Sequence, residues 1–410
     1  MPQAPILLIS SYPPRADTVA GFTEEAREFL ARALPERDVL VICHREGEGE
    51  GVFPLIHLSR RGWWKPVVAK VRELGPEAIH LQHDYPLYEY RDERGHSDNN
   101  AGFLSLLEQL ASDYPLVVEL HTVHGRLRDE EADFIYQTSQ YADVVILKAA
   151  YQHWRFDWTC RGFGWPTPKN IMVVPHGARP DYRWSVEDVP RLRDELGLDK
   201  LPGLAQHLVG LIGWTGANQR WDILTSMWEQ CAADIRARSG QRWDLLAAGA
   251  AASHAPDDAD GAWRGQIEVL ERKGLAHYYE FTPRDDVYYK MLAVCDFVVL
   301  PSVDETQSGT LSRIIALNKP FITIAPMEAL TAETIESEGG LLFTTKEGLR
   351  QKVVQLATDE KLRLKLGENL RRYLEEVVSW EVVVRHYLRA YELAREATRS
   401  GVKVELPPEF

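Results

Sequence analysis

The chain has 410 residues, 45% hydrophobic and 26% charged, with a formal net charge of −14. These values exclude disorder, collagen and coiled coil as whole-chain descriptions. The acidic balance speaks against a non-specific nucleic-acid binder and against a polybasic membrane-surface dock. At roughly one domain per 150 residues, the length predicts two or three domains.

No apolar run reaches the roughly 18 residues that a spanning helix needs. The segment Met1–Ile9 lacks the basic start and apolar stretch of a secretory signal. The four cysteines, Cys43, Cys160, Cys231 and Cys295, are not paired at metal-ligand spacing. Together these features predict a cytoplasmic protein with reduced structural thiols. The 12 Trp, 16 Tyr and 12 Phe are mostly expected in the core, with any exposed minority suited to packing on the C–H face of a sugar.

The elements alternate almost to the end of the chain. Ile6–Ser11 reads as a continuous apolar strand buried on both faces, as parallel strands are. A two-proline loop follows, then a helix over about Ala20–Leu34. Further strands read at Val39–Cys43, Ala78–Gln82, Leu116–His121, Val144–Leu147 and Asn170–Val174. Helices lie near Lys65–Leu74, Asn100–Ser112 and Asp129–Tyr141, and the Glu/Gly run Glu46–Gly51 reads as a solvated turn. The proline-containing stretch His176–Pro202 reads as an interdomain connection. A second series has strands at Leu208–Gly213, Trp243–Ala248, Tyr278–Phe281, Phe297–Leu300 and Phe321–Ile324. Its helices read at Trp221–Ala237, Gly261–Lys273, Asp286–Val294, Gly309–Leu317 and Glu347–Thr358, and the tail from about Glu360 to Arg399 reads as two amphipathic helices.

Alternation of this kind predicts an α/β protein with two Rossmann-like, doubly wound parallel sheets facing a crevice. The expected division is 1–180, a linker at 181–202, a second domain at 203–375, and a C-terminal helix at 376–410. In open α/β sheets ligands bind at the carboxyl ends of the strands, so the loops after strands are where chemistry is sought.

Several strand ends carry candidate groups. His121 ends a buried strand in PLVVELHTVHG, with His124 three residues on. An imidazole there either donates to a sugar hydroxyl or moves a proton near neutral pH, or it is structural. His83 and Asp84 end the preceding strand, as a capped turn or as a wall of the substrate site. In LPSVDETQSGTLSRIIALNKP a buried strand ends at Leu300, a loop presents Asp304 and Glu305, and a helix begins near Ser308, Gly309 and Thr310. Open N–H groups and the helix dipole favour an anion there, so this is a candidate diphosphate seat, or an ordinary N-cap. In LVGLIGWTGANQRWDIL, Gly213, Thr215 and Gly216 permit close backbone approach to a ligand. Arg220 reads equally as a phosphate partner and as a surface arginine. Thr282, directly after the strand Tyr278–Phe281, and Gln307 complete the expected binding set. There is no GxxxxGK[ST], no GxGxxG after the first strand, no HExxH and no GxSxG. The carboxylate pair Asp258 and Asp260 lies in a hydrophilic loop, and no metal site is assigned.

At these residues the sequence resembles the GT-B glycosyltransferases of the group 1, or GT4, family. The resemblance runs over nearly the whole chain and rests on ILLISSYPPR, QHDYPLY, VELHTVHG, IMVVPHGA, PSVDETQSGTLSRIIALNKP and EGGLLF. It implies a nucleotide-sugar donor held by the second domain, an acceptor held by the first, catalysis without a metal ion, and a last helix, at 376–410, that crosses back onto the first domain. His121 matches the family histidine near the donor sugar. Glu305 matches the first of two glutamates eight residues apart, the one that contacts the sugar hydroxyls. The second falls on Arg313, and the family's basic pair after the first strand of the second domain falls on Trp214 and Gln219. The glycine pair of the first loop is reduced to Gly21. Arg220 and Arg313 are the candidates to replace the missing positive charge.

The function expected from this resemblance is transfer of a hexose, with GDP-mannose the leading donor, to a soluble carbohydrate or metabolite, with retention of configuration. Inversion would call on Asp84, His124 or Asp17 as general base. Two other readings stay open: a binding or regulatory protein with an impaired donor pocket, and nucleotide-sugar epimerisation, which needs no acceptor.

Overall fold

The structure is a computed structural model that describes residues 3–15, 17–124, 127–251, 261–283, 285–303, 308–326 and 328–408. It forms two compact units. Unit 1 comprises Met1–Gly177 together with Trp380–Phe410, and unit 2 comprises Ala178–Ser379.

The strands of unit 1 are β1 (Ile6–Ile9), β2 (Val39–His44), β3 (Val52–Ile56), β4 (Ala78–His83), β5 (Leu116–Leu120), β6 (Val144–Leu147) and β7 (Ile171–Val173). They pair in parallel in the order β3-β2-β1-β4-β5-β6-β7. Side chains of successive strand residues point to opposite faces. Leu7 and Ile9 accordingly join one core cluster, and Ile6 and Leu8 another. Both faces are covered, which is why these strands read as unbroken apolar runs.

The second cluster is closed by the last helix, Trp380–Ser400, whose buried seam runs through Trp380, Val383, Val384, Tyr387, Tyr391 and Ala394. This helix returns to the first sheet, as the family resemblance implies. Fully burying one such side chain contributes about 1.5–3 kcal/mol, so the seam is a major share of what holds unit 1 together.

Unit 2 contains β8 (His207–Thr215), β9 (Trp243–Ala251), β10 (Ala276–Glu280), β11 (Phe297–Leu300), β12 (Phe321–Ile324) and β13 (Gly340–Phe343). The order is β10-β9-β8-β11-β12-β13, again parallel throughout. Alternation along β8 splits Leu208 and Ile212 from Val209 and Leu211 into separate clusters. In each unit the strand order reverses once, between β1 and β4 and between β8 and β11. A crevice opens at the carboxyl ends of the strands at such a switch point.

Some elements differ from the sequence reading. β3 was not expected: it is a half-exposed edge strand interrupted by Pro54, the one kind of strand where proline is tolerated. A helix spans Ala150–Phe163, which no apolar stripe announces. Its inner face carries Gln152, His153 and Asp157 beside Phe156 and Cys160, while Trp154, Trp158 and Phe163 are exposed. The expected helix Trp221–Ala237 is two helices, Trp221–Thr225 and Trp228–Ser239. The stretch expected as a linker at 181–202 contains the helix Val189–Glu195 and buries Leu192, Leu196 and Leu198 in the core of unit 2. Residues 376–379 also stay with unit 2, and the return to unit 1 begins at Trp380. The chain leaves and re-enters unit 2 at one place, where the Ala178 amide donates to the Val378 carbonyl at 2.8 Å. The four cysteines are buried and unbridged. Among the described residues no helix is long and apolar enough to cross a membrane.

Candidate functional site

In unit 2 the switch point is flanked by the ends of β8 and β11. β8 runs into Gly213, Trp214 and Thr215, followed by a 3-10 turn at Ala217–Gln219. β11 ends at Leu300, and the helix Gly309–Ala316 opens on Ser308, whose hydroxyl accepts from the Leu311 amide at 3.3 Å. The two loops meet: the Val303 amide donates to the Asn218 carbonyl at 2.7 Å. The Tyr288 hydroxyl lies 2.5 Å from Thr310 Oγ1. Gly213 has φ +142°, and a Cβ there would meet the Tyr288 hydroxyl at 2.9 Å and Thr310 Oγ1 at 3.2 Å. The structure therefore brings Gly213, Thr215, Gly216, Ser308, Gly309 and Thr310 to one switch point, at the N-terminus of the helix Gly309–Ala316.

The two arginines are engaged within the protein. Arg220 donates to Asp222 through Nε at 2.9 Å and Nη2 at 3.1 Å. It takes up a left-handed backbone, φ 50°. Arg313 Nη1 donates to the Gly309 carbonyl at 2.7 Å, and its guanidinium lies 5.1 Å from the Tyr288 ring centroid and 5.5 Å from that of Tyr289. Arg313 is thus held over the first turn of the Gly309 helix. Thr282 is exposed after β10, the edge strand of this sheet, two strands away from β8. Glu305 and Gln307, with Asp304, lie outside the described residues, as do Asp258 and Asp260.

In unit 1 the ends of β1, β4 and β5 are neighbours. The His121 amide donates to the His83 carbonyl at 2.9 Å, extending the β4–β5 ladder by one residue. His121 is 7% exposed, and its ring stands edge-on to Phe22 at 4.7 Å. Burial holds this imidazole well below its ordinary pKa. Asp84 caps the short helix Tyr85–Tyr88, accepting from the Tyr85 amide at 3.0 Å and from Thr122 Oγ1 at 2.5 Å. Burial raises its carboxyl above the usual range. His124 lies 3.0 Å from Glu131 through Nδ1, and hydrogen bonding to that carboxylate raises its pKa. Asp17 is taken up by capping the helix Thr18–Ala33 and by pairing with Arg15 at 2.6 Å. His121, Asp84, Thr122 and His124 are therefore clustered at one end of the sheet.

His83 is not part of this group. It hydrogen-bonds Asn100 at 3.0 Å and sits among Tyr85, Tyr88, Phe103 and Phe134, where burial lowers its pKa to about 3. Alternation sends it into the core, opposite to its neighbour Asp84. Sequence reasoning also missed a buried ionic cluster beside His121, made by Glu119, Lys148, His80 and Tyr387. Its one visible signal was a glutamate in the middle of an apolar strand.

No protein-family model matches the chain, and no curated protein does. Solved structures do. HepE from Anabaena in complex with UDP aligns at 15% identity over 95% of this chain and 99% of that one, with a TM-score of 0.68. The chain has the GT-B fold. Sucrose-phosphate synthase from Thermosynechococcus elongatus aligns at 17% identity over 96% of this chain and 100% of that one, with a TM-score of 0.65. The UDP-forming α,α-trehalose-phosphate synthase from Burkholderia xenovorans, in complex with glucose-6-phosphate, aligns at 10% identity, 95% and 100% coverage and a TM-score of 0.69. Two α/β units, each built on a parallel sheet, are what this chain shares with these GT-B proteins.

Proposed function

We propose that the chain is a glycosyltransferase that moves a hexose from a nucleotide diphosphate sugar to a carbohydrate or small-molecule acceptor. The observation that carries this reading is the meeting of Gly213 and Thr310 at the switch point of unit 2, where a backbone without side-chain bulk faces the N-terminus of Gly309–Ala316. That arrangement suits a diphosphate, whose leaving charge grows in the transition state and is stabilised by preorganised N–H groups and cations. Arg313, held over the same helix turn, is the cation within reach of the seat. In this reading Glu305 binds the donor sugar, Arg220 turns from Asp222 to phosphate when the donor binds, and no metal ion takes part.

His121 supplies a neutral imidazole that hydrogen-bonds the reacting sugar, and Asp84 orients the acceptor. Configuration is retained, the leaving phosphate taking the acceptor proton. For the donor, neighbours crystallised with UDP and with UDP-glucose favour a uridine diphosphate hexose over the GDP-mannose suggested by the sequence resemblance.

The test is a thermal-shift panel with UDP, GDP, ADP and dTDP and their sugar conjugates, with and without EDTA. It is followed by proton NMR of the anomeric signal with a panel of acceptors. Selective stabilisation by one nucleotide, unaltered by EDTA, is expected. A single observation favours a second reading, a nucleotide-sugar-binding protein with impaired catalysis: Asp222 and the Gly309 carbonyl already engage both arginines. Tight binding without turnover would establish that alternative.

A further inference from the structure

Unit 1 buries a set of charges that the scheme above does not use. Glu119 on β5, His80 on β4 and Lys148 after β6 are at most 3% exposed. Lys148 Nζ is ion-paired with Glu119 Oε1, and the Tyr387 hydroxyl donates to the same oxygen at 2.7 Å. The other oxygen, Oε2, faces two imidazoles: His80 Nε2 at 3.2 Å and His121 Nε2 at 3.9 Å. His80 is fixed in turn by the Tyr391 hydroxyl, 2.9 Å from Nδ1. Tyr387 and Tyr391 lie one turn apart on Trp380–Ser400. Lys148 Nζ is also 4.6 Å from the centroid of Phe22, the ring against which His121 packs.

Stability does not account for this arrangement. Replacing a buried ion pair by apolar residues of similar volume is often neutral or stabilising. What the cluster does have is a direction. Glu119 and His121 are two residues apart, so their side chains leave the same face of the sheet. The Oε2 side of the carboxylate, which His80 flanks at 3.2 Å, lies 3.9 Å from His121 Nε2, an electrostatic rather than a hydrogen-bonding distance.

We propose that Glu119 is a positioning residue for His121, holding the imidazole in the tautomer that carries its proton on Nε2. Lys148 and Tyr387 of the last helix hold Glu119 in place. A carboxylate beside one ring nitrogen selects the tautomer protonated there, which is how histidines at catalytic and metal sites are oriented. The groups acting on His121 are Glu119, which favours its cationic form, and Lys148, His176 and His80, which oppose it together with burial. Of these groups Glu119 is the attractive one, so its removal and that of Lys148 act on the ring in opposite directions.

The inference rests on the role proposed for His121, and the experiment separates the two. The full-length variants are His121→Ala, Tyr387→Phe, Glu119→Gln and the charge-balanced pair Glu119→Gln with Lys148→Met, which keeps the fold where a single lysine change would strand a buried carboxylate. Histidine ¹⁵N spectra report the tautomer without turnover. The wild-type His121 signals are expected to show the Nε2–H form, and both Glu119 variants should lose that bias. In kinetics the pair should lower kcat roughly 10–10²-fold with donor KM unchanged, and Tyr387→Phe about 3–10-fold. Adding His121→Ala to Glu119→Gln should cost no more than His121→Ala alone. Unchanged ¹⁵N signals, or wild-type kcat and pH profile in a folded pair variant, overturn the positioning role. Full turnover in His121→Ala overturns the catalytic reading instead, and the spectra then judge the contact by themselves.

Discussion

Gly213 combines two constraints that only glycine satisfies. Its backbone angle is one that other residues rarely adopt, and its missing Cβ leaves room for the Tyr288 and Thr310 hydroxyls. Gly213→Ala is expected to cost about 1–3 kcal/mol through strain. It should also weaken nucleotide binding, both read from melting curves taken with and without UDP. A different residue sets a pH response. Burial raises the Asp143 carboxyl from its ordinary 3.8 to about 6, although it accepts from the Leu116 amide at 2.8 Å and from Thr398 at 3.4 Å. A folded-state value above the unfolded one favours the protonated form. Its contribution is therefore complete below about pH 4 and lost as pH rises through about 6. Asp143→Asn should match the parent near pH 4 and exceed it in stability at pH 7, measured by urea unfolding at both values. Equal stabilities at pH 7 would remove Asp143 as a source of strain.

At the scale of elements, the last helix is the part of unit 1 on which most depends. Trp380 is fully buried, donates through Nε1 to Glu25 at 2.8 Å, and packs against Gly177 so closely that a Cβ there would stand 2.5 Å from the indole. Trp380→Ala is expected to cost about 3–5 kcal/mol, as large-to-small core changes do, and Gly177→Ala to destabilise by pushing the same ring aside. Chemical denaturation of each variant checks both. Apart from the half-exposed edge strands β3 and β13, the strands of both sheets were legible because two-sided burial writes an unbroken apolar run, and the last helix because its seam repeats every three to four residues. β3 and the helix Ala150–Phe163 were not, since an edge strand with Pro54 lacks alternation and that helix turns polar residues inward and tryptophans outward. The proposed diphosphate seat was visible as small residues between a strand and a helix. The Glu119 cluster was not, because His80, Glu119, Lys148 and Tyr387 come from four elements and meet only in the folded sheet.

At the scale of the molecule, the two units differ in continuity. Unit 2 is one stretch, Ala178–Ser379, whose ends are joined by the Ala178–Val378 hydrogen bond, whereas unit 1 needs segments from both sides of it. The fragment 178–379 is therefore expected to fold alone, with a cooperative melt and binding of the same nucleotide as the full chain. A chain ending at Ser379 should leave unit 1 unfolded. Calorimetry of the whole protein should resolve two transitions, since separate cores need not melt together, and nucleotide should raise only that of unit 2. A fragment 178–379 without a cooperative melt would show that unit 2 depends on its neighbour. The same discontinuity bears on biosynthesis. A nascent chain ordinarily folds its leading domain first, but here the leading domain must wait while the intervening one is translated. At about 5–20 residues per second that delay is on the order of tens of seconds. Throughout it the apolar residues that later pack on Tyr387 and Tyr391 stay uncovered on the ribosome, a natural client for chaperones, and the Glu119–Lys148 pair becomes dry only when the last helix emerges.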